Sequence, residues 1–200
     1  MNIVLIKKYF PDLNDEQFKQ LEKMGPAYRE QNEKVNIISR KDIENLYEHH
    51  ILHSLAVAKI TNFEPGAKIL DIGTGGGFPG LPLAVLFPKS DFVLIDSIGK
   101  KIKAAQAVAE AIGIKNARIE QARSNELKEK FDFILGRAVA PFSVFFKTAK
   151  KNLLPHGSII YLTGGEVEVE KNDDIKIYDL GKIFQEDYFK NKKIIHYHKK

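Results

Sequence analysis

Two hundred residues allow one ordinary domain, or one domain with a small appendage, and a composition 44% hydrophobic and 28% charged is that of a globular chain with a sizeable core. No apolar run approaches the roughly 20 residues that span a bilayer, and the start MNIVLIKKYF carries neither a leading positive charge nor a small-residue cleavage site, so a cytoplasmic location is expected. The lack of cysteine excludes disulfides, Cys-ligated zinc and thiolate nucleophiles, while a net charge of +5 is too mild by itself to indicate nucleic acid.

The first sixty residues read as helical. Asn14 caps a helix that runs through Glu16, Phe18, Leu21 and Met24, with Pro26 expected to kink or restart it. Ser39 caps a second helix over residues 40–60, with Ile43, Leu46, Tyr47, Ile51, Leu55 and Val57 on its apolar side. FEPG at 63–66 is the first clear punctuation, and a boundary is expected there, between a helical extension over 1–62 and a main domain over 63–200. Beyond it the period changes. Strands are expected at AKILDIG (67–73), DFVLIDS (91–97), ARIEQAR (117–123), FDFILGR (131–137) and GSIIYLTGG (157–165). Helices are expected near Leu81–Phe87, over Gly99–Ile112 and over Phe142–Leu154. This alternation is that of an α/β fold with a mostly parallel sheet covered by helices on both faces. IKIYDLG (175–181) and KKIIHYH (192–198) have no long helix between them and read as a closing antiparallel hairpin at the sheet edge. The last eleven residues hold five lysines and two histidines.

DIGTGGGFPG (71–80) contains five of the fourteen glycines. Each glycine fixed in regular structure costs about 0.5–1 kcal/mol, so a run of them marks a backbone that something approaches closely. Gly75-x-Gly77-x-x-Gly80 fits the dinucleotide pattern, a weak match alone. Asp71-x-Gly73-x-Gly75-x-Gly77 also fits the S-adenosylmethionine loop of Rossmann-like methyltransferases, where the strand-end acid Asp71 receives the methionine ammonium directly or through water. An anionic pyrophosphate has no use for Asp71, and Pro79 removes an N–H it would want. Asp96 ends the second strand nineteen residues beyond Gly77, where a carboxylate accepts from ribose hydroxyls; NAD enzymes share this feature.

QNEKVNIIS (31–39), HILHSL (50–55), DIGTGGGFPGLPLAVLFP (71–88), LIDSIGKKIK (94–103) and LGRAVA (135–140) occur together and in order. In them the sequence resembles the RsmG (GidB) family of bacterial 16S ribosomal RNA guanine-N7 methyltransferases, over nearly the whole chain. The resemblance implies a Rossmann-like class I methyltransferase with a helical N-terminal extension, S-adenosylmethionine as methyl donor, and one guanine in a small-subunit RNA hairpin loop as target. It places cofactor contacts on Gly73, Phe78, Ser124, Asn125 and Arg137. The chain departs from the family pattern at Gln31, Ile38 and His53, where Trp, Thr and Asp are usual. It departs again at Asn125, where an acid is common, and at Thr163-Gly164, where Lys-Gly is usual.

The residues narrow the chemistry. Carbon-5 methylation of pyrimidines needs an activating cysteine, and exocyclic amine methylation in this fold uses an Asn/Asp-Pro-Pro-aromatic clamp where this chain has GRAVAPF. Guanine N7 carries a free lone pair and needs no general base. Arg137, assigned here as the catalytic residue, stays protonated; it can pair with the cofactor carboxylate or RNA phosphate, or donate to guanine O6. Phe78 and Phe142 can flank a flipped base, although Phe142 fits a core position equally. Lys100, Lys101, Lys103 and Arg123 are candidate phosphate contacts that also read as a solvated face or ion-pair partners. His49 and His53 stand at i, i+4, but no acid is placed to complete a metal site, and none is expected. A monomer acting on 16S RNA or a small-subunit assembly intermediate, without membrane attachment, is expected. The competing readings are a small-molecule methyltransferase, an NAD-dependent oxidoreductase and a non-catalytic RNA-binding factor.

Overall fold

A computed structural model describes residues 3–167, 169 and 174–198. The N-terminal part holds α1 (Ile3–Tyr9) and α2 (Asp15–Lys34). Asn14 caps α2 as expected: its side chain accepts the Gln17 amide at 2.9 Å and Gln17 returns the bond to the Asn14 amide at 3.1 Å. Pro26 does not restart the helix, which is one element through it. The carbonyl that Pro26 leaves without an i+4 donor belongs to Glu22, and the Tyr47 hydroxyl donates to it at 2.8 Å.

The second expected helix is broken up. Residues Ile43–Asn45 form a 3-10 turn, Leu46–Leu52 a π-helical stretch, His53–Leu55 a single α turn (α3) and Ala56–Lys59 another 3-10 turn. Ser39 still opens the segment, accepting the Asp42 amide on its hydroxyl at 3.2 Å. The His53 amide bonds to the His50 carbonyl, and the His49 carbonyl beside it accepts from the side chains of Arg137 and Tyr188. π-type irregularities collect at functional sites, and this one carries the two histidines that hold Arg137.

Then come β1 (Lys68–Ile72), α4 (Gly80–Leu86), β2 (Asp91–Asp96), α5 (Gly99–Ile112), β3 (Ala117–Gln121), β4 (Phe131–Arg137), α6 (Phe142–Ala149), β5 (Leu153–Gly164), β6 (Ile175–Asp179) and β7 (Lys192–His198). The sheet order is β3-β2-β1-β4-β5-β7-β6. β1 to β5 pair in parallel, and β7 is antiparallel to both neighbours. The closing hairpin is thus present, but its second strand is inserted between β5 and β6. α6 is shorter than expected because the chain turns through Lys150–Asn152 and enters β5 at Leu153.

β1 and β2 are buried on both faces beyond their first residue, as a parallel sheet covered by helices requires. Alternate residues feed two cores. Ile69, Phe92, Leu94 and Leu135 face one core, shared with Leu21, Met24, Tyr28, Leu52 and Leu55 of the N-terminal part and with α4 and α5. Leu70, Val93, Ile95 and Ile134 face the other, with Phe145, Tyr161 and Tyr197. The N-terminal 62 residues are therefore one wall of the main core. Among the described residues, no helix is long and apolar enough to cross a membrane.

Strand order reverses between β1 and β4, which splays their following loops apart and opens a crevice at the carboxyl ends of the strands. The glycine loop leaves β1 there, and Arg137 ends β4 there.

Candidate active site

The crevice is a cavity of about 540 Å³ lined by Gly73–Gly76, Phe78, Asp96–Ile98, Lys101, Arg123, Ser124 and Arg137–Val139, with Ile37 reaching in from the N-terminal part. The glycines serve different ends. Gly73, Gly75 and Gly77 have φ of +70°, +58° and +104°, a region that disfavours side chains. A Cβ on Gly75 would meet nothing within 4 Å, whereas one on Gly77 would lie 2.5 Å from Leu81 and one on Gly73 2.8 Å from Val139. Gly75 keeps the loop open to a ligand; Gly77, which does not line the cavity, lets the loop seat on α4.

Asp71 departs from its expected role. Its carboxylate is completely buried beneath the loop and does not line the cavity. One oxygen accepts from the Thr74 hydroxyl at 2.6 Å and the Gly80 amide at 2.9 Å. Burial pushes its pKa up to about 7, against the lowering by those two hydrogen bonds. Asp71 thus shapes the loop and takes the first N–H of α4, which a pyrophosphate would need.

Asp96 does line the cavity. Its oxygens are held from behind, Oδ2 by the Gly75 amide and Oδ1 by the Ile98 amide, each at 2.9 Å. Each oxygen keeps a lone pair for a ligand hydroxyl. Ser124 and Arg123 line the cavity too, but Asn125 is exposed on the 3-10 turn Ser124–Glu126 and is not among the lining residues. Lys101 lines the cavity while Lys100 and Lys103 face solvent. Phe142 lies away from the cavity, half-buried against Phe146 and Tyr161, which is the core alternative for that residue. Phe78 is 4% exposed; its ring stacks on Tyr28 with centroids 4.6 Å apart and lies 5.0 Å from the Arg137 guanidinium. Those contacts leave it as a floor for Arg137 rather than a platform for a base. Of the lysine-rich end, Lys192 and Lys193 are half-buried in β7, Lys190 is exposed, and Lys199 and Lys200 lie outside the described residues.

Arg137 is anchored by residues that sequence reasoning passed over. Nη1 donates to the His49 carbonyl of the π-helical stretch at 3.2 Å, and Nη2 lies 2.9 Å from His50 Nδ1. His50 Nε2 is 2.6 Å from Asp42 Oδ2, and His49 Nδ1 is 2.5 Å from Asp42 Oδ1. His49 stacks on Tyr188 at 3.8 Å. His53 is buried nearby with Nδ1 3.2 Å from the Tyr188 hydroxyl. His49 and His53 thus share Tyr188, one through its ring face and the other through its hydroxyl, while of the two only His49 reaches Asp42. The adjacent pair in YEHHIL, beside Asp42 seven residues back, was the available signal. The helical expectation hid it by putting His49 and His50 on different faces.

Residues 17–195 match the GidB family model, described as rRNA small subunit methyltransferase G. The chain is 50% identical to a "Ribosomal RNA small subunit methyltransferase G" from Bacteroides thetaiotaomicron over 202 residues, 96% of this chain and 98% of that one. Among solved structures it is similar to a SAM dependent methyltransferase from Aquifex aeolicus, with a TM-score of 0.55 at 17% identity, over 76% of this chain and 92% of that one. A variant of MtNAS in complex with S-adenosylmethionine has a TM-score of 0.59 at 16% identity, over 99% of this chain and 78% of that one. At these identities the structural likeness is one of fold.

Proposed function

The chain belongs to the GidB family of small-subunit ribosomal RNA methyltransferases, and we propose that its reaction is methyl transfer from S-adenosylmethionine to N7 of a guanine in a hairpin loop of 16S ribosomal RNA. The observation that carries the choice of atom is the lining of the cavity. Its ionisable side chains among the described residues are Asp96, Lys101, Arg123 and Arg137. Three are cations. The fourth is a carboxylate held by two backbone amides. With the remaining lone pairs of Asp96 assigned to the ribose hydroxyls of the donor, no lining side chain is left to take a proton from a nucleophile. An aromatic nitrogen with an exposed lone pair is the RNA nucleophile that needs no such base.

The residues present fit the methyl donor. Gly75 leaves open space beside the carboxylate of Asp96, which is pre-oriented for the ribose hydroxyls. Ile98, Ala122 and Ser124 line the same cavity and are proposed to hold the adenine, and Arg137, also in the lining, offers its guanidinium to the carboxylate of the amino-acid tail. The bound donor supplies a methyl group on a positively charged sulfur. This chain's own work is to orient it and to hold the guanine in line, since a nucleophile set about 3 Å from the methyl carbon gains most of its rate from placement. Lys101 and Arg123, both in the cavity lining, are proposed to meet RNA phosphate. With ribosomal RNA as substrate the enzyme works in the cytoplasm.

The test is chemical. N7-methylguanine is a cation with a labile glycosidic bond, so borohydride followed by aniline cuts the RNA at that base. Transfer of labelled methyl from S-adenosylmethionine to naked RNA and to small subunits is measured, followed by this cleavage. One cut at a hairpin-loop guanine, present with the gene and absent from a deletion strain, is expected. A product methylated only on exocyclic amine or ribose overturns the N7 assignment and leaves methyl transfer standing. Binding of NAD without binding of S-adenosylhomocysteine overturns both.

A further inference from the structure

Arg137 reaches the cavity from the end of β4, yet the groups that hold it come from a segment almost ninety residues earlier. A guanidinium can only donate hydrogen bonds. With Arg137 Nη2 at 2.9 Å, His50 Nδ1 must therefore be the bare, accepting nitrogen, and the ring proton must sit on Nε2, where Asp42 Oδ2 is 2.6 Å away to accept it. Asp42 is itself fixed on its other oxygen by His49, which is clamped between Asp42 and the ring of Tyr188. The chain of contacts runs Asp42, His50, Arg137, cavity. Each link has a required direction, because a carboxylate only accepts and a guanidinium only donates.

We infer that Asp42 and His50 are positioning residues: Asp42 selects the Nε2–H tautomer of His50, and His50 in that tautomer fixes the direction in which Arg137 presents its remaining N–H groups to the ligand. This rests on the reading of the cavity as the methyl-donor site. Burial and the nearby Arg137 charge hold His50 down to about 4, so the ring is neutral at physiological pH, as an acceptor for Arg137 must be. The same arrangement, a buried acid choosing a histidine tautomer that serves a third group, recurs in hydrolase triads. Here the histidine moves no proton; it supplies a lone pair at a set place.

The two amide side chains separate this role from mere packing. In His50→Asn the amide oxygen can stand where Nδ1 stood and still accept from Arg137. In His50→Gln the longer side chain places its amide near Asp42 and leaves no acceptor at the Nδ1 position. Thermal melting establishes that both variants fold. His50→Gln is expected to weaken S-adenosylhomocysteine binding, read by calorimetry, at least tenfold, while His50→Asn retains the larger part of it. In the wild type, 15N chemical shifts at neutral pH should report an Nε2–H His50, and Asp42→Ala should convert it to a mixture of tautomers. A His50 found as the Nδ1–H tautomer or as imidazolium overturns the inference. So does equal loss of affinity in the two amide variants, or a tautomer indifferent to Asp42. None of these measurements uses RNA. A wild type that binds S-adenosylhomocysteine but does not methylate small-subunit RNA would therefore refute the proposed reaction, with the tautomer still deciding the roles of Asp42 and His50.

Discussion

The hydroxyl of Tyr28, in the middle of α2, donates to the carbonyl of Gly76 at 2.9 Å, and both groups are buried. This bond ties the N-terminal helix to the glycine loop 48 residues away, and the stacking of Tyr28 on Phe78 reinforces it. The loop therefore does not stand on β1 and α4 alone. Ile37, which sits 3.2 Å from where a Cβ of Gly76 would be, presses on the same peptide from the loop that follows α2. The N-terminal part thus braces the loop through Tyr28 and enters the cavity lining through Ile37.

Tyr28→Phe removes one hydroxyl and leaves the Gly76 carbonyl without its donor. A loss of about 1–3 kcal/mol is expected from an unsatisfied buried acceptor. It should show both as a lower melting temperature and as weaker S-adenosylhomocysteine binding, because the loop that loosens is the one lining the cavity. Unchanged affinity in a destabilised variant would mean that the bond serves the fold and not the site.

The pairing of Pro26 with Tyr47 invites a double-mutant cycle. Tyr47→Phe should cost roughly 1–2 kcal/mol, since the Glu22 carbonyl then has no donor. Pro26→Ala restores the backbone N–H that a helix supplies at this place. In that background Tyr47→Phe should cost clearly less, giving a coupling of at least about 0.5 kcal/mol by urea denaturation. Strict additivity would show that the two residues act independently.

Arg137→Ala should stay folded, because it sheds a buried charge along with its bonds, and should lose methyl transfer almost completely. A charge-assisted contact to a ligand is worth about 1.5–3 kcal/mol, or roughly ten- to a hundredfold in affinity. Arg137→Lys should not restore it, since an ammonium cannot bond the His49 carbonyl, His50 and a ligand with the planar fork of a guanidinium. Wild-type turnover in Arg137→Ala would remove the residue from the site.

Two buried groups give opposite pH slopes. Asp71 is raised from 3.8 to about 7, so between these values the folded chain holds a proton that the unfolded chain releases, and the fold loses stability as pH rises through that window. His50 is lowered from 6.5 to about 4, so the unfolded chain takes up a proton that the folded one does not, and stability is lost as pH falls through that window. The two partly cancel in the wild type. Asp71→Asn should therefore show stability that rises with pH between about 4 and 7, and a gain over wild type on the order of a few kcal/mol above pH 7. His50→Gln keeps the buried His53, which is also held well below the usual histidine range and opposes Asp71, so its profile should turn toward falling stability with rising pH relative to wild type over the same range. Denaturant midpoints of the three proteins across about pH 4.5–7.5 check this; parallel profiles would sink both assignments.

A further expectation separates the glycines. Gly77→Ala should destabilise the fold by more than about 1 kcal/mol, since its Cβ meets Leu81 in a backbone conformation that already disfavours alanine. Gly75→Ala meets no atom. It should cost only the conformational strain of about 1 kcal/mol and fall mainly on ligand affinity. Equal effects of the two on melting and on binding would show that the loop does not divide its work in this way.

What the sequence by itself determined is what short-range pattern can encode. The strand–helix alternation follows from periodicity, the end of α5 from Gly113 at φ +78°, the start of α2 from the reciprocal bonds of Asn14 and Gln17, and the loop from glycines at positive φ. The placing of Asp96 and Arg137 at strand ends on one cavity was legible too, because a parallel sheet brings the carboxyl ends of its strands together whatever the side chains are. The tertiary structure decided which way each side chain turned. Asp71 and Asp96 are both strand-end acids, but Thr74 and Gly80 draw the first beneath the loop while Gly75 and Ile98 hold the second at the cavity wall. The break of the second helix into π and 3-10 turns was equally hidden: the His49 carbonyl within it accepts from both Arg137 and Tyr188, across about ninety and 140 residues of chain. Periodicity reports a residue's neighbours within a few turns. A hydrogen bond that closes so long a loop leaves no trace in spacing, and it is such bonds that aim Arg137.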